Sequence, residues 1–366
     1  MRNLLLILCL ASVIGCGRVS DSDAPLTIVV GGAKVDSVPI SEVLSVDEWL
    51  AIEKGDSVPM IGMVQKIVPG GNAFYVADGK GVYHFGKDGD FIGAISKFGR
   101  GPGEYVGIMD FCPAGDYVYV LDMNRKLLKF DVDGNCVVSN NLGFYPAAIH
   151  VLESGELLLT SAYQGPEDKF HVYDAETLLP KRSFHEIDEA EITWRHFRGQ
   201  KNFFEKDGEL LFHEPMSNDI LVISNDSAYV SRRLDIHGRS MESGFSSEKY
   251  ENVMRMNEEF VKGGLCAGAP DYAETEDKIV FTYRDAADFL MCRYDKRTGE
   301  SLSFKCILID GTDKVIPVSD MVFGFVSEKD MAIFMDAALL DGESLSAMGI
   351  DPDYGGPVVG LCHLSE

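Results

Sequence analysis

Arginine, histidine and tryptophan side chains gather in a few short segments of a strongly acidic chain. The 366 residues carry a formal net charge of −25, yet residues 194–198 bring a tryptophan, two arginines and a histidine close together. A guanidinium fork suits carboxylate or sulfate groups, and an indole ring serves as a stacking platform. We therefore predict a binding site. Its candidate residues are Arg100, Arg125, Trp194, His196, Arg198, His213 and Arg284.

Loops must bring these residues together, because they lie far apart in the sequence. In the strand pattern described below they fall in connections that open on one side of the fold, with Tyr163, Arg195 and Asp285 beside them. Such a pocket would take a sugar, a peptide or an anionic group. The alternative is that 194–198 form a partly buried loop whose aromatic rings cover a neighbouring sheet.

The sequence contains none of the compact motifs that mark common hydrolase, nucleotide or zinc sites. HExxH, P-loop and GxSxG patterns are absent, and 342–346 lack the final glycine of the last. Residues 131–135 resemble the start of a calcium loop, but Leu142 stands where an EF-hand has glutamate. The histidines occur singly. We therefore predict no metal, no cofactor and no catalytic residue, and the pattern favours a protein that is not an enzyme.

The N-terminus is typical of a protein made for export. Arg2 precedes an almost unbroken apolar run over 4–14, which is too short to span a bilayer as a helix. Small residues then lead into Cys16, a pattern that resembles the lipobox of bacterial lipoproteins, in which the cysteine carries the lipid. We predict that 1–15 are removed, that Cys16 is lipidated, and that 16–40 form a flexible tether.

The expected location is the outer membrane, with the protein facing either the periplasm or the cell surface. No aspartate follows Cys16 directly to favour retention at the inner membrane. Removal of Arg2 changes the net charge from −25 to −26, and a surface this acidic repels nucleic acid. The expected partners of the monomer are the membrane, through the lipid, and a glycan, a peptide or an envelope protein.

Beyond the tether, residues 41–366 repeat a strand–turn–strand unit. Val76 and Val120 occupy equivalent positions 44 residues apart, and Asp-Gly or similar turns favour β-hairpins. Weaker copies begin near 155, 207, 278 and 331, which brings the count to six. A period of this length is typical of propeller blades, because one unit alone cannot bury its apolar faces. We predict an all-β, six-bladed β-propeller.

Three segments depart from this rhythm. The apolar spacing within 246–262, followed by two glycines, predicts a helix inserted between blades four and five. Residues 336–356 interrupt the last blade, with a helical turn predicted at 337–340. Residues 48–53 have the pattern of a strand without a hairpin partner, and we predict that they pair with 358–363 and close the ring.

Residues 97–105 read Lys-Phe-Gly-Arg-Gly-Pro-Gly-Glu-Tyr and lie between the first two repeats. Here the chain resembles the TolB-like and NHL-like six-bladed propeller lipoproteins of Gram-negative bacteria, which carry this loop or a near variant. The resemblance implies the propeller fold over roughly 40–364 and assigns no activity. The glycines and Pro102 allow the loop either to clasp neighbouring blades or to present Arg100 to an anion.

Two functions follow from these patterns. The sequence favours a binding or protein-interaction module in the envelope. The alternative is a propeller enzyme, such as a calcium-dependent hydrolase, a lyase or a dehydrogenase, with its site at the central channel. The first strands of the blades offer Gln65, Asp110, His150 and Glu274 to that channel.

Six cysteines remain after Cys9 and Cys16 are set aside, and none forms a CxxC pair. Most lie in apolar runs, where a free thiol packs as a small hydrophobic group. Cys292 and Cys306 flank a predicted turn, so the sequence allows two alternatives for them, a disulfide or two free thiols.

Overall fold

The computed structural model describes residues 24–52, 60–70, 73–161, 167–187, 203–213, 217–236, 238–239 and 253–365. Cys16 and the predicted signal segment lie outside these residues. Within them the chain forms six β-sheets and little helix. No described helix has the length and apolar character needed to cross a membrane.

Three strands precede the first sheet along the chain. They are β1 (Leu26–Val30), β2 (Ala33–Pro39) and β3 (Leu44–Ala51), with a 3-10 turn at Ile40–Glu42 before the last. The prediction of a flexible tether over 16–40 is therefore wrong for 26–39. The physical reason is that Ile28, Val30 and Val38 are buried in the core, so these residues are held by packing.

The next twelve strands form three four-stranded sheets. Sheet 1 contains β4 (Lys66–Gly70), β5 (Ala73–Ala77), β6 (Val82–Gly86) and β7 (Phe91–Ile95). Sheet 2 contains β8 (Ile108–Ala114), β9 (Tyr117–Asp122), β10 (Lys126–Asp131) and β11 (Cys136–Asn141). Sheet 3 contains β12 (Pro146–Val151), β13 (Leu157–Ser161), β14 (Asp168–Tyr173) and β15 (Pro180–Glu186).

The remaining strands form sheets 4, 5 and 6. Sheet 4 contains β16 (Phe203–Lys206), β17 (Glu209–His213), β18 (Asp219–Ser224) and β19 (Ser227–Ile236). Sheet 5 contains β20 (Cys266–Glu274), β21 (Lys278–Asp285), β22 (Asp288–Asp295), β23 (Ser301–Leu308) and the short β24 (Val315–Pro317). Sheet 6 contains β25 (Val322–Phe325), β26 (Met331–Met335) and β27 (Val358–Leu364).

Each sheet is an antiparallel meander packed between its neighbours. Consecutive strands pair through short hairpins, and every side chain of β13 is buried because apolar groups cover both faces of the sheet. The first strands meet near the centre of the molecule, where β8 contacts β12 and β4 contacts β25. The prediction of an all-β propeller is confirmed.

The N-terminal strands complete the outer edges of three consecutive sheets. β1 pairs parallel with β19, β2 pairs parallel with β23, and β3 pairs antiparallel with β27. We call residues 26–51 the strap. The β3–β27 pairing confirms the prediction that 48–53 pair with 358–363, and it covers two strand edges that would otherwise be open.

An ion cluster fastens the strap to sheet 5. Lys34 of β2 contacts Asp285, and Arg239 Nη2 donates to Asp285 Oδ2 at 2.9 Å. Burial alone would raise the pKa of Asp285, but hydrogen bonds from Arg239 and Lys34 lower it to about 2. The carboxylate is therefore ionised at neutral pH and forms an ion pair with each of the two cations.

Two α-helices accompany the sheets in the part of the chain that the structure describes. α1 (Val253–Lys262) lies between β19 and β20, and α2 (Gly342–Ala347) lies between β26 and β27. Residues 246–252 of the predicted helix lie outside the described residues. A 3-10 turn at Ala337–Leu339 agrees with the helical turn predicted there.

Cys292 and Cys306 are free thiols. Cys292 lies opposite Ser303 in the β22–β23 pair, so Cys306 is out of register with it. The distance along β23 explains why no disulfide joins them.

Candidate functional site

Loops at one end of sheets 1, 2 and 3 form a continuous surface, which we call the rim. Both Arg100 and Arg125 lie on it. The rim consists of residues 60–63, 78–81, 97–107, 122–126 and 142–145. Hydrogen bonds join successive segments, as where Met123 N donates to Gly107 O at 2.9 Å and Leu142 N to Arg125 O at 2.8 Å.

Two aspartates hold segments of the rim in place. Asp78 directly follows β5, the second strand of sheet 1, and Asp122 is the last residue of β9, the second strand of sheet 2. The two lie 44 residues apart. Asp78 Oδ2 accepts a hydrogen bond from Gly62 N at 2.8 Å, and Asp122 Oδ1 accepts one from Val106 N at 3.0 Å. Both carboxylates therefore bind the connection that enters their sheet rather than facing solvent.

The loop 97–105 clasps sheets 1 and 2. Tyr105 is buried and its hydroxyl donates to Lys80 O at 2.7 Å, and burial raises its pKa to about 12. Glu104 Oε2 accepts from Gly101 N at 2.6 Å, and Lys126 Nζ of sheet 2 donates to Glu104 O at 2.9 Å. This geometry supports the clasp interpretation of the loop, while Arg100 stays exposed at its tip.

The exposed charged side chains of the rim are all cations. Lys80, Lys97, Arg100 and Arg125 are exposed. Lys97 interacts electrostatically with Asp131, whereas Lys80, Arg100 and Arg125 have no carboxylate partner among the residues that the structure describes. Arg125 has a positive φ of 61° and places its guanidinium 4.9 Å from the ring centre of Tyr145. Since the carboxylates of the rim are engaged with backbone N–H groups, the cations set the local charge.

Large apolar side chains are exposed on the same rim. The exposed fraction is 95% for Met60, 79% for Met63, 61% for Phe98 and 42% for Tyr145. Apolar groups that are exposed together, beside charged ones, are typical of interaction surfaces. The rim therefore offers both apolar contacts and cationic hydrogen-bond donors to a ligand.

The other described candidates are engaged inside the protein. His213 is only 2% exposed, and its Nε2 lies 3.1 Å from Ser217 O, so this ring is not available to a ligand. Arg284 is half-buried over the Phe260 ring of α1, and burial lowers its pKa. His213 and Arg284 thus contribute to packing in this structure, because neighbouring elements cover them.

The remaining candidates of the predicted site fall in parts of the chain that the structure does not describe. These residues are Tyr163, Trp194, Arg195, His196 and Arg198. They stay predictions, and the rim is defined without them.

The residues predicted to line a central channel do not converge on one point. Asp110 of β8 forms an ion pair with Lys66 of β4, whereas His150 Nε2 of β12 lies 3.0 Å from Glu205 Oε1. Gln65 directly precedes β4 and its backbone N–H donates to the carbonyl of Ala77. Across the described ranges, no group of three or more His, Cys, Asp or Glu side chains is placed to hold a metal ion.

Glu274 is buried in an ion cluster of its own. Arg232 Nε donates to its Oε2 at 2.9 Å, Lys296 Nζ to its Oε1 at 2.8 Å, and the Tyr272 hydroxyl to its Oε2 at 2.6 Å. Burial alone would raise the pKa of Glu274, but these hydrogen bonds hold it below its usual value. The carboxylate is therefore saturated by the protein's own donors.

The sequence places this protein in a family. A model for a domain of unknown function, DUF4934, matches residues 28–342. The chain belongs to the DUF4934 family. Because the match begins within β1, most of the strap lies within the family's domain. A search of curated proteins returns no match.

The comparison with solved structures gives matches at low sequence identity. An exported protein from Bacteroides fragilis is 16% identical, with a TM-score of 0.69 over 93% of this chain and 100% of that chain. BamB from Moraxella catarrhalis is 12% identical, with a TM-score of 0.39 over 80% of this chain and 76% of that chain. The Pan2 WD40 domain of Neurospora crassa is 10% identical, with a TM-score of 0.40 and coverages of 81% and 75%. The first of these likenesses shows a shared fold and nothing more.

Sequence reasoning missed Lys66, although a signal for it was present. Lys66 and Asp110 are 44 residues apart, which is the spacing of the first two repeats. The repeat therefore places a lysine and an aspartate at equivalent points of neighbouring first strands, where they contact each other. A lysine that opens an apolar strand needs such a partner once it is buried.

Proposed function

We propose that the protein is a binding module of the cell envelope, anchored by a lipid on Cys16, which takes its ligand on the rim. The observation that carries this proposal is a set of exposed cations beside exposed apolar side chains, in a chain of net charge −25. Three of these cations, Lys80, Arg100 and Arg125, have no carboxylate partner among the described residues. Rigid sheets hold these loops in fixed positions, as in many binding proteins. The rim is thus built to contact a partner.

The proposal includes one closed ring of six blades, similar to TolB-like and NHL-like propellers, at the outer membrane. Six sheets, the β3–β27 pairing and the clasping loop 97–105 support it. The Bacteroides fragilis protein that shares the fold is described as exported, which agrees with an envelope location.

The enzymatic alternative has less support. Asp110, His150 and Glu274 are engaged with Lys66, Glu205 and Arg232, so these carboxylates and this imidazole are occupied by contacts within the protein. Nothing in the geometry of the described residues favours a particular reaction.

Replacing Cys16 with serine is expected to release the protein from membranes, because the thiol that carries the lipid is lost. The mass of the mature chain and its partitioning into detergent measure this directly. Cys306→Ser is the matched control, since it removes a free thiol of sheet 5 and leaves the anchor intact. Unchanged partitioning and mass in Cys16→Ser would contradict the anchor.

A photo-crosslinker on the rim is expected to capture the ligand in intact cells. Phe98 and Tyr145 are exposed aromatic residues, so p-benzoylphenylalanine replaces either of them with little disturbance. Asp133 is the control position, because it lies beyond the opposite end of β10 from Arg125 in the same sheet. We expect one discrete adduct from Phe98 and Tyr145 and none from Asp133. Equal adducts from all three, or none from the rim, would contradict a binding role for this surface.

A further inference from the structure

The charge of the rim differs from that of the rest of the protein. Its exposed charges are Lys80, Lys97, Arg100 and Arg125, whereas its carboxylates Asp78, Glu104 and Asp122 are half-buried or buried and accept backbone N–H groups. Elsewhere in the described residues, every arginine except Arg284 pairs with a carboxylate. These pairs involve Arg182, Arg232, Arg233, Arg239, Arg255, Arg293 and Arg297.

Unpaired guanidinium groups select an anionic ligand. Arg100 is exposed at the tip of the 97–105 loop, and Arg125 is pre-oriented by its contact with Tyr145. Planar guanidinium groups bind carboxylates through two parallel hydrogen bonds, which adds direction to the attraction. Among the other arginines that the structure describes, Arg284 is half-buried over the Phe260 ring and the rest already have carboxylate partners, so the rim is where an outside carboxylate would bind.

The apolar side chains distinguish a polypeptide from a glycan. Met60 and Met63 are flexible thioethers that adapt to irregular apolar side chains, and both are almost fully exposed. A sugar needs acceptors for its hydroxyl groups, but Asp78 accepts backbone donors and Asp122 is buried, with its Oδ1 bound to Val106 N. One face of Tyr145 is also covered by Arg125. The described part of the rim therefore suits side chains of a peptide better than sugar rings.

We propose that the rim binds an acidic segment of a polypeptide that also carries apolar side chains. Its carboxylates would contact Arg100 and Arg125, and its apolar side chains would contact Met60, Met63 and Phe98. This inference rests on the proposed function, because it names the ligand class of the same surface.

Three fluorescent probes test the ligand class with the mature chain carrying Cys16→Ser. They are a short peptide that combines Glu with Leu, the same peptide with Lys in place of Glu, and a labelled dextran sulfate. Anisotropy measures their binding. We expect the Glu–Leu peptide to bind and the Lys–Leu peptide not to bind, with salt weakening the complex.

Variants then locate the site. Arg100→Glu is expected to weaken the Glu–Leu peptide by about tenfold or more, which corresponds to about 1.4 kcal/mol, and Met60→Ser/Met63→Ser is expected to weaken it as well. Arg297→Glu is the matched control, since it reverses an exposed arginine in the hairpin between β22 and β23. Equal losses in Arg100→Glu and Arg297→Glu would overturn the assignment, because only the total charge would then matter.

The failure of this inference is distinguishable from the failure of the proposed function. If dextran sulfate binds more tightly than the Glu–Leu peptide and Met60→Ser/Met63→Ser has no effect, the ligand is not a polypeptide and the inference is wrong. Adducts from Phe98 in cells would then still support the rim as the binding surface. Loss of those adducts as well would contradict both the inferred ligand class and the proposed binding function.

Discussion

A chain that begins at residue 52 is expected to show no cooperative thermal unfolding transition. It lacks the strap, which buries Ile28, Val30, Val38, Leu44 and Leu50 against sheets 4, 5 and 6. Burial of one such side chain contributes about 1.5–3 kcal/mol, and a folded protein is typically stable by only about 5–15 kcal/mol. The deletion also opens the outer edges of β19, β23 and β27, which favours aggregation.

Shorter deletions separate the contributions of the three strands. A chain that begins at residue 33 loses β1, and one that begins at residue 44 loses β1 and β2 but keeps β3. We expect the melting temperature to fall at each step, as followed by circular dichroism and calorimetry. The control begins at residue 24, because it lacks the signal segment and keeps the whole strap. If the chain from residue 44 melts where this control does, β1 and β2 do not stabilise the propeller.

The ring and its closing strand could be predicted because their signals are local. Val76 and Val120 mark a repeat whose hairpins follow directly along the chain. β3 has the pattern of a strand with no hairpin partner nearby, and a ring leaves an open edge on the last sheet. An unpaired strand in the sequence and an open edge on the last sheet therefore predict that the two pair with each other.

β1 and β2 could not be predicted in the same way. Pro25, Gly31 and Gly32 are typical of a linker, and the first half of β2 is exposed on both faces. Their partners β19 and β23 lie far along the chain and pair with them in parallel. No hairpin turn therefore joins the paired strands, and the sequence gives no local indication of the pairing. β1 and β2 form strands because they pair with β19 and β23, and the sequence of the strap by itself does not indicate these partners.

The part of the candidate site that the sequence predicted is the part in which the local backbone conformation leaves a side chain exposed. The glycines and Pro102 around Arg100 make a tight loop whose charged tip stays in solvent. His213 ends a strand of ordinary appearance, and its burial beside Tyr272 depends on sheet 5. Whether His213 is available to a ligand or buried therefore depends on residues of another repeat, which the sequence around His213 does not reveal.

Replacing Asp110 with alanine is expected to destabilise the protein by about 3–5 kcal/mol, as for other buried ion pairs that lose one partner. Asp110 contacts Lys66 of sheet 1, and its Oδ2 accepts a hydrogen bond from Ile149 N of sheet 3 at 2.9 Å. One carboxylate thus joins the first strands of three sheets. Its loss leaves a buried ammonium and a buried backbone N–H group without that acceptor.

A second substitution tests whether the buried charge is the cause. Lys66→Met in the Asp110→Ala background removes the ammonium while keeping an apolar stem over Phe111, so we expect it to recover part of the lost stability. Asp116→Ala is the matched control, because Asp116 is exposed in the hairpin of the same sheet. Urea unfolding followed by tryptophan and far-ultraviolet signals gives the free energies. If Asp110→Ala unfolds with the Asp116→Ala control, or if Lys66→Met adds to the loss instead of relieving it, the ion pair does not hold the centre of the propeller together.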